Sequence, residues 1–370
     1  MKDVIVIGGG LAGLINAILL SRKGLNVLLF EEKKYPFHRV CGEYISNEVI
    51  PFLEKNELFP SELKPAKISR FHLSSSSGKS LKMALDLGGF GISRKSYDQW
   101  LAKKALDSLD IVHTRVVSSS FKDDRFLIKD KEGENHEAKI VIGAFGKRSK
   151  IDKSLERPFI HKRYPYIGVK YHIKTDEVAD NVVELHNFNK GYCGVSKIEN
   201  GTFNLCYLSH RSNLKKFGSI DAMEEEVLKK NPYLKRIFNQ SDFLFEKPEV
   251  INEITFEKKE PVYDHILMSG DSAGMITPLC GNGMAMAIHS SKILSESIID
   301  FFDHGIDRQA LERNYTDQWN NLFAKRLWAG RNIQKLFGSP ITSEVAVAIA
   351  RSVSPVTKYL MKQTHGTPFS

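Results

Sequence analysis

Long apolar runs are missing from this chain: no stretch reaches the roughly 20 apolar residues of a membrane-spanning helix, so a helical membrane protein is not expected. Cysteine is scarce. The four residues, Cys41, Cys193, Cys206 and Cys280, form no CxxC, which argues against a disulfide framework and fits a reducing compartment. Histidine never stands at ligand spacing from a second His or Cys, and no HExxH occurs, so no metal site is expected. A secretory leader is also absent from the start, MKDVIVIGGG, which passes from one lysine straight into a strand; the expected location is cytoplasmic. The formal charge of +9 lacks the clustering of a nucleic-acid binder, which leaves an anionic cofactor or an anionic membrane surface to account for it.

What is present suits a globular protein of two or three lobes over 370 residues. VIVIGGGLAGL, Val4 to Leu14, is an apolar strand running into a helix, and Gly8, Gly10 and Gly13 fit GxGxxG. One glycine makes the tight turn, one lets a pyrophosphate approach the backbone, and one packs helix on strand; Leu11 and Ala12 complete the turn. A second strand, NVLLFE, ends in Glu31, 23 positions after Gly8, the spacing at which an acid accepts the ribose hydroxyls of a dinucleotide.

NAD and FAD are separated by a distant stretch, GDSAGMITPLCGNGMAMAIHS, Gly270 to Ser290. FAD bound through an N-terminal fingerprint needs a second segment for its ribityl chain and flavin ring. Asp271, after the apolar strand HILMSG, is placed to accept from a ribityl hydroxyl. The N–H groups of Gly281, Asn282 and Gly283, at the start of the next helix, would face the flavin N1–C2=O edge, where the helix dipole favours the negative charge of reduction.

With these blocks the chain resembles the FAD-dependent oxidoreductases that include geranylgeranyl reductases, flavin halogenases and aromatic hydroxylases of the p-hydroxybenzoate hydroxylase type, and it looks closest to the geranylgeranyl reductase-like branch. Further blocks are YPFHRVCGEYIS (Tyr35 to Ser46), GISRKSYDQWLAKKA (Gly91 to Ala105), IGAFGKRS (Ile142 to Ser149) and YTDQWNNLFAKRLWAGRNIQKLF (Tyr315 to Phe337). The resemblance assigns Arg39 to the FAD diphosphate or ribityl region, lets Arg94 reach the FAD with Asp98 fixing the helix start, and puts Cys41-Gly42-Glu43 beside the flavin ring. Arg39 and the cofactor would lower the pKa of Cys41. Cys41 and Cys280 are thus the candidate catalytic thiols, and a redox-active pair if they approach each other. Where hydroxylases carry Asp, this chain has Phe145, against hydroxylase-type NADPH binding. The Trp-x-Trp-x-Ile-Pro motif of halogenases cannot be made from Trp100, Trp319 and Trp328.

From Tyr164 to about Ile254 residues alternate by twos, in YIGVKYHI, NVVELHNF and GTFNLCYL, which predicts an antiparallel sheet. The geranylgeranyl reductase motif PxxYxxWC survives only as Tyr192-Cys193 in HNFNKGYCGVSK, so a polyprenyl substrate does not carry over, and Tyr192 is a candidate pocket wall. SSSSGKS, Ser74 to Ser80, lacks the first glycine of a P-loop and reads as a hairpin turn. Toward the C-terminus, Leu311, Tyr315, Trp319, Leu322, Phe323, Leu327 and Phe337 recur at helical spacing among basic residues. This suits docking on a membrane surface or covering the domain, and the weight of large apolar residues favours covering. A last helical stretch breaks at Pro355.

The expected architecture is α/β: a Rossmann-type FAD-binding domain from 1–60, 90–163 and 255–303, an inserted β-sheet substrate domain from 61–89 and 164–254, and a C-terminal helical segment, 304–370. The expected activity is hydride transfer from flavin to a C=C bond of an apolar lipid, isoprenoid or polyketide-like substrate, with NAD(P)H or another electron donor and non-covalent FAD. The alternatives are an FAD-dependent monooxygenase acting on an aromatic or polyketide substrate and, more remotely, a non-catalytic lipid carrier on an FAD fold. Neither nucleic acid nor an obligate protein partner is expected.

Overall fold

The computed structural model describes residues 1–162, 165–252, 254–278, 281–335, 339–352 and 366–370. Cys280, Phe337 and Pro355 therefore lie outside the described residues. The β-branched run KDVIVI forms the strand Lys2–Ile7, buried from Val4 onward. It pairs in parallel with Val27–Phe30 on one side and Asn135–Gly143 on the other, in the register Ile7 to Phe30 and Ile7 to Gly143. Asp110–Val112 and Ile266–Met268 extend this parallel core to five strands, so five loops leave from neighbouring carboxyl ends, where open α/β sheets hold ligands. The helix Leu11–Arg22 buries nearly its whole circumference because Gly283–His304 packs along it, and Arg308–Lys335 packs on that helix in turn.

The second sheet has nine strands. Its main path runs Asp242–Phe243, Tyr166–Lys174, Phe203–His210, Gly191–Lys197, Val182–Phe188, Ala66–Ser74, Ser80–Gly91, Tyr44–Ser46, and Glu249–Asn252 pairs with Tyr166–Lys174. Within 166–252 the strands pair antiparallel, as the alternation predicts, whereas Val182–Phe188 runs parallel to Ala66–Ser74, a strand from outside that stretch. Alternation fixes the two faces but not the partner's direction, which this long connection reverses. One face, with Val169, Tyr171, Val195, Leu205 and Tyr207, packs against helices between 211 and 240. The other, with Leu73, Leu185, Tyr192 and Leu208, meets Ile254, Met275 and Val347 and faces the first sheet's ligand edge. SSSSGKS makes the expected hairpin, closed by Ser75 N to Lys79 O at 2.8 Å.

Candidate functional site

A cavity of 940 Å³ lies between the carboxyl edge of the first sheet and the apolar face of the second, near the upper end of small-ligand sites (~300–1,000 Å³). Its first wall is the glycine turn. Gly8 has φ +108°, and a Cβ there would stand 2.4 Å from the Ala144 carbonyl oxygen; at Gly13 it would stand 1.9 Å from the Gly8 oxygen. Gly8, Gly10, Leu11 and Ala12 line the cavity, whereas Gly13 lies behind them and lets the helix close on the turn. Glu31 ends the second strand with its carboxylate accepting from Gly9 N at 3.0 Å, Lys33 N at 3.0 Å and Arg39 at 2.8 Å. Tyr35, not singled out in the sequence, closes the turn by donating to the Gly9 carbonyl at 2.5 Å.

Arg39 spans Glu31 and Asp98, and Arg94 makes a two-point contact with the same buried Asp98 at 2.8 and 2.7 Å. Asp98 thus holds two arginines at the cavity, and its helix is capped by Ser93, which accepts from Ser96 N as a serine before a helical run is expected to. Asp271 and the turn Gly281, Asn282, Gly283 line the far end, with Gly283 opening the helix Gly283–His304. Burial pushes the Asp271 carboxyl up, opposed by Lys259, Arg94 and Lys147. Lys259 is itself buried, donates to the carbonyls of Lys147 and Asp271 at 2.7 Å each, and is pushed down to about 8 by burial.

The loop 38–43 joins the two sheets. Asn204 of the second sheet donates to the Gly42 carbonyl at 2.9 Å, and Lys170 to the Arg39 carbonyl at 3.1 Å. Glu43, fully buried with φ +54°, accepts from Arg94 N at 2.7 Å, from Lys170 and from His172 at 2.7 Å. Burial alone would raise Glu43; Lys170 and His172 outweigh it and hold the carboxyl below its ordinary range. Lys170 and His172 escaped the sequence reading, although polar residues at alternate positions of YIGVKYHI were a signal. Cys41 lines the cavity as a free thiol, but burial raises its pKa, and the cation nearest in effect is Arg94. The expected lowering by Arg39 is not found, because desolvation dominates. Cys280 lies outside the described residues, and with it any approach to Cys41. Tyr192 and Phe145 line the cavity.

On the opposite face of the second sheet, His72, Glu184 and His186 bring their side chains together. Glu184 accepts from His72 at 2.9 Å and His186 at 2.7 Å, and Ser74 bonds the other nitrogen of His186 at 2.8 Å. These are hydrogen-bond separations, so the trio is a buried polar chain on the side away from the cavity.

A glycine turn that only a backbone can occupy, an acid anchored at the adjacent strand end, two arginines and a helix that starts at the cavity with Gly283 fit FAD laid along it. Comparison with known proteins agrees. Residues 3–38 match the FAD binding domain family. Digeranylgeranylglycerophospholipid reductase of Methanosarcina acetivorans is 28% identical over 342 residues, 86% of this chain and 80% of that protein. Geranylgeranyl diphosphate reductase of Rhodobacter capsulatus is 24% identical, over 82% of this chain and 76% of its own. Among solved structures, the flavin-dependent brominase Bmp2 superposes with a TM-score of 0.78 at 17% identity, covering 98% of this chain and 93% of that one. Pseudomonas aeruginosa PqsL, in complex with 2-aminobenzoylacetate, gives 0.75 at 14%, covering 92% and 98%. These two share the fold. The chain is an FAD-dependent oxidoreductase. Its resemblance to the geranylgeranyl reductase-like family is borne out by relatives that align along most of their length.

Proposed function

We propose that this flavoenzyme reduces a C=C bond of an apolar substrate held between the flavin and the second sheet. The observation that carries this reading is the apolar wall of Leu73, Leu185, Tyr192, Leu208, Ile254 and Met275 opposite the FAD-binding edge; the names of the two reductases support it. Bound FAD supplies the hydride. Glu31 takes the adenosine ribose, the turn Gly8 to Ala12 the pyrophosphate, Arg39 and Arg94 its charge, and Asp271 the ribityl chain. The Gly281 N–H is taken by the Pro278 carbonyl at 2.9 Å, so it is the helix start at Gly283, behind the turn Gly281-Asn282, that would meet the flavin edge. Cys41, kept protonated by burial, is the proton donor nearest to hand, and Tyr192 is a pocket wall. The substrate unit in this reading is 61–89 with 164–254, and the FAD unit 1–60, 90–163 and 255–303.

An anaerobic stopped-flow run on the FAD-loaded protein tests this. Flavin reduced by dithionite and then reoxidised by an added polyunsaturated lipid, without oxygen, is the expected result. Rapid reduction by NAD(P)H followed by an oxygen-dependent transient would move the reading to the monooxygenase, which the fold shared with PqsL keeps in view and Phe145 opposes. A protein that takes up no FAD contradicts both.

A further inference from the structure

We propose that Lys147 binds an oxygen of the substrate, so that the reducible double bond is conjugated to a carbonyl or carboxylate. This rests on the reductase reading above and names its substrate class. Lys147 follows Gly146, at φ +82°, just beyond the strand Asn135–Gly143, and it lines the cavity. Its backbone is fixed on two sides: its carbonyl accepts from Lys259 at 2.7 Å, and Gly146 exchanges hydrogen bonds with Ser272 at 2.9 and 3.2 Å.

The ammonium is buried and has no hydrogen-bond partner among the described residues. It is within electrostatic reach of Asp271 on the FAD-binding edge and of Cys206 on the second sheet. The cations around it are engaged: Arg39 and Arg94 on Asp98, Lys170 on Glu43, Lys259 on two carbonyls, Arg157 on Asp152 at 2.9 Å. Burial pushes Lys147 down to about 8, so it still carries its proton at neutral pH. A buried cation without a partner is costly, and the cost is offset when a ligand brings an oxygen to it.

Among the described residues no oxygen stands within hydrogen-bond distance of the Lys147 ammonium, and Asp271 acts on it only from farther off. A pure hydrocarbon there would leave the ammonium unsatisfied, whereas an apolar chain ending in a conjugated carbonyl satisfies both surfaces. The chemistry agrees. When hydride from reduced FAD adds to the carbon β to a carbonyl, the π electron pair moves to the oxygen as an enolate, and a proton added at the α-carbon completes the C–H bond. Lys147 would hold that oxygen as its charge grows.

The test uses the full-length, FAD-loaded protein and 4-chlorophenol, whose phenolate stacked on oxidised flavin gives a long-wavelength charge-transfer band. The wild type should develop the band. Lys147→Met should weaken phenolate binding by roughly 10- to 100-fold, as expected for loss of a hydrogen bond to a charged group, with FAD affinity within about twofold, and Lys147→Arg should recover much of the band. Unchanged phenolate binding in Lys147→Met overturns the proposal. So does a loss of FAD affinity with phenolate binding intact in the loaded fraction, since the ammonium then serves the cofactor. Anaerobic reoxidation separates the two readings. Farnesal, a conjugated enal, should reoxidise the reduced wild type faster than squalene, whose double bonds are isolated. Squalene active and farnesal inert sinks the conjugated substrate but keeps the reductase; if neither reacts with loaded, reducible flavin, the reductase reading falls and this inference with it.

Discussion

Gly13→Ala is the substitution for which sterics alone fix the outcome. Its methyl would stand 1.9 Å from the Gly8 carbonyl, backbone that cannot move without opening the turn. FAD affinity should fall at least ~10-fold, read by flavin fluorescence on titration; an alanine variant that binds like the wild type would contradict the assignment of this turn to the pyrophosphate. Glu43 gives the second prediction. Glu43→Gln leaves the Lys170 ammonium buried without its counter-charge, at a cost of about 3–5 kcal/mol at pH 7 in urea melts. The folded-state pKa of Glu43 is lowered, so its contribution is present above the ordinary carboxylate value of 4.5 and is lost as pH falls below it. The gap between wild type and variant should therefore shrink at pH 3. The glycines and Glu31 were legible in the sequence because their spacing is local, bound to one strand-turn-helix-strand unit. Glu43, Lys170 and His172 were not, because the contacting pairs are 127 and 129 residues apart and only the folded sheet brings them under one loop. Lys147 was hidden for another reason: nothing in GAFGKRS says that its ammonium ends without a partner.

At the scale of elements, the parallel core, the paired face of the second sheet and the helix at Gly283 follow from periodicity and turn residues. The strap between the sheets does not. The segment 254–261 carries no regular structure, yet Lys259 within it ties the loops of Lys147 and Asp271 together through their carbonyls. Lys259→Met keeps the packing length and removes both bonds; FAD affinity should weaken roughly 10-fold and the melting temperature should fall. Equal FAD affinity would show that the strap does not position the cofactor loops. The C-terminal helix is legible on one side only. Leu311, Tyr315, Trp319, Phe323 and Leu327 are buried as the spacing predicts, and Tyr315 donates to the Met268 carbonyl at 2.5 Å, so this stripe covers the domain. Leu322 is instead turned outward, as is Trp328, 63% exposed, and the helix Pro340–Ser352 turns Val345 and Ile349 outward as well. No helix of the described residues can cross a membrane. An exposed tryptophan with exposed Lys325 on the same helix suits an anionic lipid surface. Co-sedimentation with phosphatidylglycerol vesicles, weakened by salt and by Trp328→Ser, is the expected outcome; a chain that stays in the supernatant at low salt rules it out.

The whole molecule is arranged so that one cavity takes its walls from two sheets tied by the loop 38–43, by the strap 254–261 and by Glu199, which accepts from Ser93 and Ser96. A ligand filling that cavity binds the folded arrangement and not the open one, and stabilises it by RT ln(1 + [FAD]/Kd), about 2.7 kcal/mol at a hundredfold excess over Kd. The strap is where such opening would be seen, since Lys258 is exposed beside the buried Lys259. Opening the cavity frees Lys259 from both carbonyls and presents the two lysines together to trypsin, whereas the closed form offers only Lys258 on a backbone anchored at the next residue. Cleavage at 258–259 should therefore slow with added FAD, in proportion to the fall in the open population when reclosing is faster than cutting. A hundredfold excess of FAD should lower the rate on the order of a hundredfold. Lys259→Met separates the causes: if the strap is held by the lysine, the apo variant is cut faster than the apo wild type at Lys258, and FAD protects it less. A cleavage rate indifferent to FAD would mean that the two sheets stay closed without the cofactor, and that FAD enters a cavity the protein has already formed.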